Sequence, residues 1–120
     1  MEIAIIAHDG KKAEMVQFLN EHSAILHQKK INLVSTGTTG EKVKKAGFVV
    51  NALLSGPLGG DAQIAARVAE GKCNMVLFFR DPLDRHPHEP DILMLMRLCD
   101  VHNVPLATNP ATAELLIKAV

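Results

Sequence analysis

The groups able to do chemistry in this 120-residue chain collect in short polar segments, each next to an apolar run. Ser55-Gly56-Pro57-Leu58-Gly59-Gly60-Asp61 holds three of the eight glycines and ends on a carboxylate where a strand pattern gives way to a helical one. Such a turn presents backbone N–H groups to whatever lies above it. Asp61 is open to two readings there, a helix N-cap or a positioned general base. Thr36-Gly37-Thr38-Thr39-Gly40 brings three hydroxyls to the start of another helical pattern. Hydroxyls, N–H groups and a helix N-terminus suit a phosphate, with Lys12 as counter-charge; a turn with capping threonines is the plainer alternative. The Gly-Lys-Ser/Thr ending of a nucleoside-triphosphate loop is missing, and no Gly-x-Gly-x-x-Gly opens the first helix. A small phosphorylated ligand fits better than a nucleotide.

Histidines and further carboxylates accompany these segments. His8, Asp9, Asp81, His86, His88 and Asp91 are spread over separate loops and match no common zinc spacing, so no metal is expected. A neutral histidine acting as hydrogen-bond donor or proton carrier suits them better. For His86 alone an exposed loop position is expected, and His22, His27 and His102 read as ordinary surface residues.

Positioning these groups falls to five apolar runs, at residues 3–7, 31–35, 48–53, 75–79 and 105–107. They alternate with helical patterns at about 11–28, 40–46, 61–70, 90–102 and 110–118. Continuous rather than alternating apolar runs indicate strands buried on both faces. Strict β–α alternation with short links implies right-handed crossovers and a parallel sheet. The expected fold is therefore α/β: a three-layer sandwich with a five-stranded, mostly parallel sheet, in a single domain over residues 1–120. Gly47 and Gly71 fall where left-handed C-caps belong, and Pro90 and Pro110 at helix starts. Parallel strands all point one way, so the polar segments meet at one carboxyl edge, where open α/β sheets bind ligands.

Composition narrows the partners. Thirteen acidic and thirteen basic residues cancel, and aromatic content is 3% with no Trp or Tyr. Neither a basic field nor stacking platforms favour nucleic acid. No run is long enough to span a membrane, and the apolar N-terminus lacks a basic leader and cleavage site, so a cytoplasmic protein is the default. Cys73 and Cys99 suggest neither a disulfide framework nor a metal spacing. The fourth helical pattern carries Ile92, Leu93, Met94, Leu95, Met96, Leu98, Cys99 and Val101 around nearly its whole circumference. One apolar stripe suffices for a surface helix, so a second covered face, and with it a homo-oligomer, is expected.

Taken in order, His8-Asp9-x-x-Lys12, Thr36-Gly37-Thr38-Thr39-Gly40, the 55–61 segment, Phe79-Arg80-Asp81-Pro82-Leu83 and Pro87-His88-Glu89-Pro90-Asp91 resemble the methylglyoxal synthase family over essentially the whole chain. The resemblance implies a lyase that converts dihydroxyacetone phosphate to methylglyoxal and inorganic phosphate, needs no cofactor and assembles as a homohexamer. It implies Asp61 as catalytic base, with His88 and His8 donating to the developing oxyanion. It further implies substrate contacts from His8, Lys12, Thr36, Gly37, Thr38, Thr39, Ser55, Gly56 and His88, and supporting places for Asp9, Asp81, Asp91 and Arg97. Arg80 stands where relatives can carry an aromatic residue, a difference expected to matter little. The competing class is a non-catalytic regulatory domain that senses a phosphorylated metabolite. Asp61, His8 and His88 together argue against it, since phosphate binding alone needs no proton-transfer set.

Overall fold

The computed structural model describes residues 1–84 and 89–120; His86 and His88 lie outside the described residues. Strands β1 (Glu2–Ala7), β2 (Asn32–Ser35), β3 (Val50–Ala52), β4 (Met75–Phe79) and β5 (Leu106–Ala107) form a five-stranded sheet in the order β3-β2-β1-β4-β5. Every pairing in it is parallel. Helices α1 (Lys12–Glu21), α2 (Ser23–Gln28), α3 (Gly37–Lys45), α4 (Gly60–Ala69), α5 (Glu89–Val101) and α6 (Pro110–Lys118) connect and cover it.

The period-2 alternation of strand side chains divides the core into two layers. Ile3, Ile5, Leu77 and Phe79 pack against Met15, Leu19, Val43 and Ile117 of α1, α3 and α6. Ala4, Ile6, Val76 and Phe78 pack against Ile64, Val68, Leu95 and Cys99 of α4 and α5. The chain winds outward from β1 through β2 to β3, and α4 then carries it back to β4 on the other side of β1. The order therefore reverses between β1 and β4, which opens a crevice at their carboxyl ends.

Three boundaries differ from the sequence reading. The helix expected over 11–28 is a 3-10 turn at Asp9–Lys11 followed by α1 and α2, which break at His22. His22 is not an ordinary surface residue. Its ring lies 4.5 Å from that of Phe18 and its Nε2 is 2.6 Å from Glu114 Oε2 on α6, so tertiary pairing fixes the bend. The third strand is shorter than 48–53, because its register with β2 runs from Leu33↔Val50 to Ser35↔Ala52, while Val49 is 94% exposed. The second helical pattern, α3, starts at Gly37 rather than residue 40, which brings Thr38 and Thr39 into its first turn.

The helix punctuation agrees with the sequence: Gly47 and Gly71 adopt φ of +99° and +76°, and Pro110 opens α6 behind an Asn109 cap. On α5, Ile92, Leu95 and Cys99 are buried, whereas Leu93 and Val101 stay exposed. Burial pushes both thiols up, Cys99 to about 11, so they act as neutral packing groups.

Two outcomes test this packing. Leu95→Ala leaves a cavity beneath α5 and lowers stability by about 2–5 kcal/mol, read from the urea midpoint at unchanged slope; a loss below about 1 kcal/mol contradicts the burial. The Glu114 carboxyl is held below the usual carboxylate range, first by its hydrogen bond to His22 and next by Lys118. The folded chain then binds that proton less readily than the unfolded one. The pairing stabilises above the ordinary carboxylate pKa and is lost as pH falls through the lowered one. Glu114→Gln therefore flattens the dependence of the midpoint on pH between about 5 and 3, and an unchanged slope there rules out the linkage.

Candidate active site

β1 is hydrogen-bonded on both sides and buried on both faces, so its chain leaves the sheet at His8 directly over the crevice. His8 is 5% exposed. Its backbone N–H donates to Phe79 O at 3.1 Å, and its ring meets Phe78 edge-on at 5.2 Å. The Asp81 backbone N–H donates to His8 Nδ1 at 2.8 Å, linking the ends of β1 and β4 across the switch point. A nitrogen that accepts carries no proton in the neutral ring, so the proton sits on Nε2. Asp81 turns its own carboxylate toward Leu83 N–H (3.1 Å) and packs so closely on Gly10 that a Cβ there would stand 2.9 Å from Asp81 Oδ2.

One turn further, Lys12 reaches back. Its Nζ donates to Ala7 O at 2.9 Å and to Asp9 Oδ1 at 2.7 Å. Thr36 precedes α3 in an extended conformation and is buried, as is Thr39. The Thr39 hydroxyl is spent on the end of β1, accepting from Ala7 N–H and donating to Ala7 O, both at 3.3 Å. Gly40 exists for packing: a Cβ there would collide with Ser35 Oγ and Ala52 Cβ.

The 55–61 segment is a single 3-10 turn, Gly56–Leu58, joined to α4 by Gly59 at φ +111°, a left-handed conformation that favours glycine. Ser55 O receives the N–H groups of Leu58 (3.0 Å) and Gly60 (2.9 Å). Gly60 presses on the preceding backbone, and a Cβ there would collide with Leu54 O. That approach brings Asp61, the second residue of α4, to 0% exposure at the positive end of the helix. Gly59 holds the N-cap position, so Asp61 is not the cap. The Gly37 N–H donates to Leu54 O at 3.0 Å, tying the threonine segment to the Asp61 segment.

These pieces enclose a cavity of about 190 Å³ lined by Ile6, Ala7, His8, Asp9, Lys12, Thr36, Thr38, Gly56, Pro57 and Asp61. Gly37, Thr39 and Ser55 form supporting backbone and hydroxyl pairs and are not part of this lining. Asp81 does not line the cavity and meets the His8 ring through its backbone N–H. Asp91 is half-buried in the first turn of α5 and Arg97 is exposed two turns on; neither lines the cavity. His88 lies outside the described residues. Sequence reasoning missed Ile6, Ala7 and Pro57, which line the site without carrying chemistry. It also undervalued Arg80, whose guanidinium pairs with Glu89 Oε1 at 3.0 Å and reaches Met96 Sδ at 3.7 Å. Arg80 thereby ties the end of β4 to α5.

Comparisons with known proteins converge on one group. A family model described as "MGS-like domain" matches residues 14–108. The chain is 57% identical over 121 residues to methylglyoxal synthase of Thermoanaerobacter sp. (strain X514), spanning all of this chain and 90% of that protein. It is 52% identical over 119 residues to methylglyoxal synthase of Clostridium beijerinckii, covering 98% of each. The crystal structure of methylglyoxal synthase from Elizabethkingia anophelis NUHP1 superposes with a TM-score of 0.89 at 40% identity, over 97% of this chain and 76% of that one.

The bond from Asp81 N–H makes a spectroscopic prediction. Imidazole 15N shifts of His8 at neutral pH show the Nε2–H tautomer; an Nδ1–H pattern contradicts the switch-point geometry.

Proposed function

The chain belongs to the methylglyoxal synthase family, and on that premise we propose that it eliminates inorganic phosphate from dihydroxyacetone phosphate to give methylglyoxal. It is a lyase of that type. The observation that carries the assignment of roles is Asp61, a wholly buried carboxylate sharing one cavity with Lys12, Thr36, Thr38 and His8. A cavity of about 190 Å³ is below the ~300–1,000 Å³ of sites for larger ligands, which suits a three-carbon phosphate better than a nucleotide. The regulatory-domain reading is not favoured, since the relatives that span the chain are synthases.

In the proposed sequence Asp61 removes a proton from the carbon that bears the hydroxyl and adjoins the carbonyl. Electrons move onto the carbonyl oxygen to form the enediolate. Burial excludes the water that would compete for the carboxylate, and the helix dipole favours its anionic form. His8 Nε2–H and His88 donate to the developing oxyanion; losing one such donor costs about 2.7–4 kcal/mol. The enediolate then collapses as the C–O bond to phosphate breaks, giving inorganic phosphate and the enol of methylglyoxal, which takes up a proton at its methylene carbon. A C–O bond held perpendicular to the enediolate plane overlaps the π system, which favours elimination over isomerisation. Lys12, the Thr36 and Thr38 hydroxyls and the Thr38 and Thr39 backbone N–H groups at the start of α3 hold the phosphoryl group, with Gly56 against the carbon chain and Gly37 and Ser55 supporting the two segments. Asp81 orients His8, while Asp9, Asp91 and Arg97 tune the surrounding charge. Only proton transfers and one bond cleavage are involved, so the scheme requires no cofactor.

Exposed Leu93 and Val101 on α5 support a homo-oligomer, a hexamer by family, and we place the enzyme in the cytoplasm. No helix among the described residues is long and apolar enough to cross a membrane.

The test supplies dihydroxyacetone phosphate and follows methylglyoxal and phosphate together, with equimolar release expected. Asp61→Asn lowers kcat at least about 10³-fold, within the range that general-base loss and misplaced electrostatics produce, while inorganic phosphate still binds. Wild-type activity in that variant would remove Asp61 from the base role.

A further inference from the structure

Lys12 is a heavily committed cation. Asp9 Oδ1 stands 2.7 Å from its Nζ and Ala7 O accepts a second bond, so a full negative charge already faces it. A phosphate monoester approaching as a dianion meets a cradle whose positive charge is already shared with Asp9 before arrival. Hydroxyls and helix N–H groups can hold such a group at short range, but they exert little pull at a distance.

The charge that is not offset lies next door. A second cavity, about 650 Å³, shares Asp9 and Lys12 with the first and runs outward between α1 and α3, lined further by Ala13, Val16 and Lys42. Lys42 is exposed and follows Thr38 by four residues, which puts the two side chains on one face of α3. Thr38 lines the inner cavity and Lys42 the outer one, so that face runs from the site toward solvent. No ion pair among the described residues engages Lys42. Ala13 and Val16 give the groove uncharged walls, which focus rather than screen its field.

We propose that Lys42 forms an outer anion-binding position, which captures the dianionic phosphoryl group of small phosphate esters and hands it to the Thr36 and Thr38 hydroxyls. Identifying the ester as dihydroxyacetone phosphate rests on the lyase reading; the anion chemistry does not, because inorganic phosphate shares it. Lys42 touches no reacting atom, so its effect falls on capture and KM rather than on kcat. The attraction is exposed and is screened over the Debye length of about 8 Å at physiological salt, so it fades as salt rises.

An ordinary alternative exists for this lysine. Lys42, Lys44 and Lys45 all sit in the last turn of α3, where cations stabilise the helix. Lys44 has that role without lining either cavity, so it is the control. Lys42→Gln and Lys44→Gln are compared with wild type in steady-state turnover of dihydroxyacetone phosphate at low salt and at about 0.3 M salt. The expected result is a KM raised about three- to tenfold by Lys42→Gln at low salt, kcat within twofold, convergence with wild type at high salt, and no comparable effect of Lys44→Gln. Equal behaviour of the two variants, an unchanged KM, or a fall in kcat with KM constant overturns the proposal. Calorimetry with inorganic phosphate at low salt gives a second readout independent of turnover. If wild type proves inactive, the lyase reading fails, yet the phosphate arm still decides Lys42. Weaker phosphate binding in Lys42→Gln alone sustains the outer site, and binding as tight as wild type overturns it.

Discussion

The structure depends on the pairing of β1 with β2 on one side and β4 on the other while both its faces are buried. A strand enclosed in all four directions has one exit for its chain, off the carboxyl edge, and His8 is the first residue there. The hydrogen bond from Asp81 N–H to His8 Nδ1 then closes the crevice between the two diverging halves of the sheet. A single backbone donor thereby sets both the position of the ring and the nitrogen that carries its proton. The sheet supplies chemistry as well as support.

Close backbone approach is the second requirement. Gly60 lies against Leu54 O, Gly37 against the 53–55 backbone, and Gly40 against Ser35 and Ala52. At each of these positions a side chain would force two segments apart. These contacts bring the first turns of α3 and α4 to the same cavity, so two positive helix ends converge on it. Their combined field suits an anion that carries its charge at one end and reacts at the other.

Much of this was legible in the sequence for physical reasons. Strands buried on both faces leave continuous apolar runs, so β1, β2 and β4 could be placed almost to the residue. Convergence of polar segments follows from parallel topology alone, which is why His8, Lys12, Thr36, Thr38 and Asp61 group together from the sequence. Features decided by partners distant in sequence were not legible. The break at His22 comes from Glu114 on another helix, and the role of Arg80 from Glu89 and Met96. Asp61 as cap or base could not be separated by pattern, since both readings put a carboxylate at a helix start. The left-handed Gly59 in the cap position removes the cap reading.

Lys12 has one further consequence. Its ammonium is pinned by a main-chain carbonyl and a neighbouring carboxylate before any ligand arrives. A free lysine loses up to about 2 kcal/mol of rotamer entropy when it is immobilised. Here that loss belongs to folding, so an incoming ligand need not order the side chain again. In the proposed role the cradle is therefore stiff toward the phosphoryl group and owes its selectivity to fit, and molecules whose anionic head differs in size or geometry gain little from adaptation of the protein.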